Sequence, residues 1–270
     1  MARLLLSAVG ITRAPAMTAD NYLLSLLATH AVDLTAKSPA LKAANMVLPH
    51  VYAWGGANIV GDVKASGSFA KGTAVHGGCD IDLFISLSST VGTALGDIYF
   101  GLLHHISRSG FVARQQNVSI GVTVDGFHVD LVPARRLSQY GGDHSLYRSR
   151  VPTWTKTNID VHIREVHGSG RQDEIRILKL WKLRHGIRFP SFYLELAVLR
   201  ALYGARRGDL ANNVFKVLDF LATDFVTATF QDPANTANRI SDDLDAREKV
   251  AVARAAAAAV AATTWERVVW

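Results

Sequence analysis

The apolar positions change period along the chain, and the changes mark the elements. Tyr22, Leu23, Leu26 and Leu27 recur at helical spacing after Asp20, which predicts a helix capped by Asp20. A second helical stretch follows Pro39, with Leu41, Ala44, Val47 and Leu48 on one face; Pro49 and Gly55-Gly56 are expected to break it. Ile59–Ala65 reads as a strand. In Asp80–Leu87 the residues alternate, with Asp80, Asp82 and Phe84 on one face and Ile81, Leu83 and Ile85 on the other. Thr90–Ser109 returns to helical spacing through Leu95, Ile98, Leu102, Leu103 and Ile106. Val118–Val124 and Phe127–Val132 then read as two strands joined by Asp125-Gly126, a strong hairpin signal. In the second strand Phe127, Val129 and Leu131 share one face, and His128 and Asp130 share the other.

Gln139–Gly170, rich in Gly, Ser, Thr, His and Arg, reads as a long irregular connector. Beyond it, helices are predicted over Asp173–His185, Ser191–Tyr203, Asn212–Phe225 and Ala246–Ala262, with residues 232–243 as a loop. In the first of these Ile175, Leu178 and Trp181 form an apolar stripe flanked by Lys179 and Lys182. Pro190-Ser191 suits a helix start, whose free amides also suit a phosphate.

Composition adds bounds. A chain of 270 residues, 49% hydrophobic and 19% charged, can bury one core or two lobes around a cleft. No apolar run reaches the length of a membrane span. The single cysteine, Cys79, excludes an internal disulfide and a multi-cysteine zinc site; beside Asp80 it is read as packing. A net charge of +6 suits polyanionic ligands. Cations far outnumber acids over Arg135–Arg188. That stretch reads equally well as a solvated connector with a charged helix or as a cleft edge that collects triphosphate or nucleic acid. His104 and His105 lack a partner at metal-ligand spacing and are read as surface or core histidines.

The candidate chemistry lies in Gly67–Phe84, GSFAKGTAVHGGCDIDLF. Two same-face carboxylates separated by one buried residue form a chelate for Mg²⁺, which prefers hard oxygen ligands and leaves positions for phosphates. Gly67 lets the backbone approach a ligand, and Ser68 adds a hydroxyl for a phosphate oxygen. Asp130 is the third carboxylate, facing Asp80 and Asp82 if the strands share a sheet.

Gly-Ser, a gap, Asp-x-Asp and a later strand Asp resemble the nucleotidyltransferase superfamily related to DNA polymerase beta. GSFAKGT…CDIDLF, FHVDLVPA, ILKLWK, FPSFYLEL and DPANTANRISDD follow in that order. Together they resemble the oligoadenylate synthase and cyclic GMP-AMP synthase branch, including the bacterial CD-NTases, over roughly residues 20–262. The resemblance implies an α+β fold: a polymerase-beta-like lobe with a mixed central sheet flanked by helices, a C-terminal helical lobe, and an active site in the cleft between them. The division expected is residues 1–135 and 136–270, with a long N-terminal helix, here residues 20–48, bracing both lobes.

The resemblance also implies two Mg²⁺ ions, with Mn²⁺ as a substitute, held by Asp80, Asp82 and Asp130. Nucleoside triphosphates, ATP and also GTP or pyrimidine triphosphates, would be joined into a cyclic di- or trinucleotide messenger or a short oligonucleotide, in bacterial anti-phage signalling. Lys179 matches the family's triphosphate lysine, while Lys182 reads as a snorkelling surface residue. Ser191 and Phe192 match a phosphate contact and a base-stacking ring; relatives often carry Tyr where this chain has Phe192. Lys71 and Thr73 lie in the Gly-Ser loop and are weaker phosphate candidates, and His128 is a lip residue. Arg135–Arg188 is a candidate surface for a nucleic-acid activator. MARLLLSAVGITRAPA is read as a non-secreted start, and a cytoplasmic setting is expected, without a membrane. Transfer to tRNA, protein or a small molecule on the same scaffold is the alternative enzyme, and an idle nucleic-acid sensor the alternative of another class.

Overall fold

The computed structural model describes residues 17–35, 37–77 and 80–270. The N-terminal start and Cys79 lie outside these residues. Helix α1 (Ala19–Thr29) is capped by Thr18, whose hydroxyl accepts from the Asn21 amide at 3.2 Å. Asp20, expected as that cap, instead accepts from the backbone amide of Ala211 at 2.7 Å, at the start of a distant helix. Helix α2 (Pro39–Gly55) carries Pro49 inside it. Pro49 is exposed, so the backbone carbonyl it leaves unpaired faces solvent, and burial of Ala44, Val47 and Val51 carries the helix through. The expected single brace over residues 20–48 is therefore two helices. Leu23 and Leu27 of α1 join the helical core, whereas α2 joins the core under the sheet.

Strand β1 (Lys64–Ala65) is far shorter than the expected Ile59–Ala65. Ile59 makes only an isolated bridge to Leu87, and Gly61 turns the chain at φ +71°. Helix α3 (Gly67–Lys71) follows, then β2 (Ile81–Leu87) and α4 (Leu95–Arg108). Strands β3 (Ala113–Gln115), β4 (Ile120–Val124) and β5 (Phe127–Arg136) complete the predicted hairpin. Val124 pairs with Phe127, and Asp125 and Gly126 both have positive φ, as a two-residue turn requires.

The connector expected over Gln139–Gly170 is ordered. It contains β6 (His144–Arg148), β7 (Thr153–Thr157) and α5 (Ile159–His167). The two strands are short, and they are held by pairing with the end of β5 and with each other and by packing of Leu146 and Tyr147 on distant residues, a non-local effect. The start of α5 was legible: Asn158 caps the Val161 amide at 3.3 Å ahead of Ile159, Ile163 and Val166.

Helices α6 (Gln172–Arg184), α7 (Ser191–Ala201), α8 (Leu210–Thr223) and α9 (Ala246–Val260) form the helical lobe. Asp245 and Glu248 close a capping box on α9. The expected loop at 232–243 includes part of a hairpin, β8 (Gln231–Asp232) and β9 (Asn235–Arg239).

The sheet is mixed, in the order β1-β2-β5-β4-β3, with β2 parallel to β5 and the other pairs antiparallel. β6 pairs with Ala134–Arg136 and β7 with β6, so the sheet continues beyond residue 135. Ile81, Leu83, Ile85, Val129 and Leu131 are buried with α2 and α4 on one face. The alternate residues Asp82, Phe84, Asp130 and Val132 occupy the other face, as the alternation predicted. Among the described residues no helix is long and apolar enough to cross a membrane.

Candidate active site

Asp82 and Asp130 stand opposite each other on the parallel strands β2 and β5. Adjacent strands lie about 4.8 Å apart, so the two carboxylates leave the sheet side by side. Asp80 is exposed, just ahead of β2, and its charge acts on both. Burial lifts the Asp82 carboxyl to about 7, helped by the charges of Asp130 and Asp80; Lys71 and Lys179 pull it the other way. Asp130 is also raised, by burial first and then by Asp80.

Gly67 explains the first half of the motif. It sits at φ +58°, and a Cβ there would lie 1.7 Å from Asp82 Oδ2. The backbone thus rests against the carboxylate where a side chain has no room. Ser68 follows on α3, half-buried.

Asp130 is oriented by residues with no motif around them. Gln116 Nε2 donates to its Oδ1 at 3.0 Å. Ser119 Oγ lies 3.3 Å from its Oδ2 and 2.7 Å from Gln116 Oε1, so its one proton serves one of them at a time. Gly121, paired with Asp130 across β4 and β5, leaves space for the Gln116 amide; a Cβ there would come within 2.6 Å of it. His128 is exposed at the lip, within 3.1 Å of the Thr123 hydroxyl.

Among the described residues no group of three or more His, Cys, Asp or Glu side chains is gathered closely enough to hold an ion as it stands. The donor set nevertheless fits Mg²⁺. Asp130 and Asp80 push the Asp82 carboxyl up, and Asp80 pushes Asp130 up; such repulsion is what a hard divalent cation relieves.

Three lysines have internal partners. Lys71 and Lys179 are buried and both donate to Glu195, at 2.5 Å and 2.7 Å. Lys182, read as a surface residue, is half-buried, and its Nζ donates to Ser191 Oγ at 3.0 Å and to the Phe189 carbonyl at 2.6 Å. Burial, with Lys179 beside it, lowers Lys182 to about 8 against the pull of Glu195.

Ser191 is exposed at the start of α7. Phe192 is half-buried, its ring under Lys71 Nζ at 4.8 Å and 4.4 Å from the His162 ring. His162 in turn bonds Asp232 at 2.7 Å, and Asp232 also accepts from Asn238. A cavity of about 150 Å³ opens on the same sheet face, lined by Gly67, Lys71, Phe84, Val132 and His162 among others. Glu195, Gln116, Ser119 and His162 escaped the sequence reading. Only Glu195 left a signal: a lone carboxylate in the apolar run of FYLELAVL.

Several cations of Arg135–Arg188 are engaged internally. Arg135 donates to the carbonyls of Val91 and Thr93, and Arg171 pairs with Glu174.

No family model and no curated protein matches the sequence. Solved structures do. CdnC of E. coli MS115-1, solved with ATP, aligns with a TM-score of 0.70 at 19% identity over 91% of this chain and 96% of that chain. The Bradyrhizobium diazoefficiens CD-NTase CdnG in complex with GTP gives 0.70 at 14% identity, over 91% and 93%. The Cid1 poly(U) polymerase bound to MgATP gives 0.64 at 13% identity, over 88% and 92%. Likeness at these identities speaks for architecture: the chain has the nucleotidyltransferase fold that the CD-NTases share with the Cid1 polymerase.

Proposed function

We propose that this protein is a nucleotidyltransferase of the CD-NTase kind, joining nucleoside triphosphates into a cyclic di- or trinucleotide messenger and releasing pyrophosphate. The observation that carries the reading is the register of Asp82 on Asp130, with the Gly67 backbone seated on the Asp82 carboxylate. Likeness over nine-tenths of the chain to CD-NTases solved with ATP and GTP supports the substrate class.

In this reading an acceptor ribose hydroxyl attacks the α phosphorus of a bound triphosphate. Mg²⁺ or Mn²⁺ bound by Asp80, Asp82 and Asp130 would polarise the phosphoryl oxygens and acidify the attacking hydroxyl. Asp130, held by Gln116 and Ser119, presents a fixed carboxylate toward that hydroxyl and helps take its proton. Gly67 and Ser68 receive the phosphate tail. Ser191 and Lys182 meet it from the helical lobe, with Lys182 sharing the role first given to Lys179. Phe192 offers a ring for the base. A cytoplasmic, anti-phage setting follows from the same reading.

The test is incubation with all four triphosphates and Mg²⁺ or Mn²⁺, followed by mass spectrometry. A phosphatase-resistant cyclic product is expected. Likeness to the Cid1 polymerase favours one second reading, transfer to an RNA or other macromolecular acceptor. Label in a macromolecule with no free oligonucleotide would select it. Salt-sensitive duplex binding through Arg135–Arg188 without turnover would instead indicate a nucleic-acid sensor.

A further inference from the structure

Four polar side chains from both sides of the cleft meet out of solvent. Glu195, on α7, is fully buried. Its Oε2 accepts from Lys71 Nζ at 2.5 Å. Its Oε1 accepts from Lys179 Nζ at 2.7 Å and from Thr73 Oγ1 at 2.8 Å. Lys179 Nζ also donates to Thr73 Oγ1 at 2.9 Å. Two ammonium groups thus share one carboxylate in the interior. A buried ion cluster of this kind is a poor source of stability compared with apolar packing, so its positional use is the property to ask about.

The use lies in what the cluster grips. Lys71 ends α3 and Thr73 lies just beyond it, on either side of Gly72, which closes the helix at φ +71°. The other end of the same short helix is Gly67-Ser68. Holding Lys71 and Thr73 therefore holds Gly67 beside Asp82, where the space a Cβ would need is taken by the carboxylate. Glu195 stands one turn along α7 from Ser191, so it also ties this turn to the helix start that faces the cleft.

We infer that Glu195 is a positioning residue, a buried clasp that fixes the Gly67–Thr73 turn to the helical lobe and so sets where Gly67 and Ser68 stand against the donor triphosphate. The role in triphosphate binding rests on the nucleotidyltransferase reading; the clasp itself does not.

The test is Glu195→Gln, which keeps shape and removes charge. Amide hydrogen exchange over residues 67–73 should quicken by about tenfold or more, while α8 and α9 keep wild-type rates. KM for the triphosphate should rise about tenfold, with kcat changed less than about threefold. Thr73→Val, which keeps every charge, should move both readouts in the same direction by less, and it carries the test should Glu195→Gln fail to fold. Unchanged exchange at 67–73 in a folded variant overturns the clasp, as does exchange that quickens uniformly through both lobes. A wild-type protein with no turnover on any triphosphate would sink the nucleotidyltransferase reading, while the exchange rates still decide the clasp.

Discussion

Two buried ionic clusters lie close together in this molecule and are built on opposite plans. Arg171 and Glu174 pair at 3.0 Å within the helical lobe. Arg171 spends its other donors on the carbonyls of Leu202, Ala205 and Arg206, and Asn213 completes the Glu174 side at 3.0 Å. One cation meets one anion, the remaining partners are backbone carbonyls and the neutral Asn213 amide, and the group closes the loop between α7 and α8. The Lys71–Glu195–Lys179 cluster gathers two lysines on one carboxylate and joins the turn after α3 to α6 and α7. Both its lysines act on the Asp82 carboxyl. Burial alone does not tell the two clusters apart; which elements each ties together does.

That contrast can be broken or sharpened by experiment. The largest effect should come from Arg171→Met, which leaves Glu174 buried and uncompensated: about 3–5 kcal/mol of unfolding free energy lost in a denaturant titration. The triphosphate KM of the folded fraction should stay at its wild-type value, and a shift comparable to that of Glu195→Gln would erase the distinction. Asp82→Asn should lower kcat roughly a hundredfold or more, by loss of a charge that binds the cation and steadies the transition state. Its melting temperature should hold or rise, because burial and two neighbouring carboxylates already disfavour the charged form; retained turnover would remove Asp82 from the chemistry.

Gly67→Ala comes next. Left-handed backbone and a Cβ 1.7 Å from Asp82 Oδ2 should cost about 1–3 kcal/mol, read by thermal melting, together with a loss of turnover. An alanine variant as stable and as active as the parent would mean that the turn is not seated as described.

A further effect concerns pH. The folded pKa of Lys182, about 8, lies below its ordinary 10.5, so the folded state sheds that proton first. Stability from this group is therefore lowest below pH 8 and rises as pH climbs from 8 toward 10.5. Lys182→Met should flatten that rise in the difference between the two unfolding curves, and identical slopes would contradict it.

Much of the candidate site's sheet face was legible because alternation is a local property. Asp82, Phe84 and Ile85 fell on their proper faces from sequence alone, and Asp125-Gly126 announced the hairpin that returns Asp130 to the sheet. The misreadings have non-local causes. β6 and β7 form because β5 extends past β4 and leaves an edge to pair with. Asp20 looked like the cap of its own helix and serves another nearly two hundred residues away. Lys179 and Lys182 both flanked one apolar stripe, and nothing in ILKLWK said which would be drawn inside by Glu195.

By itself the sequence determined the local periods and the turn chemistry, since each is set by backbone sterics within a few residues. Only the tertiary structure decided that β2 and β5 pair in the register that brings Asp82 to Asp130, and that one buried carboxylate gathers lysines from two lobes. Those outcomes depend on which desolvated groups find partners across the chain, and no short stretch of residues carries that information.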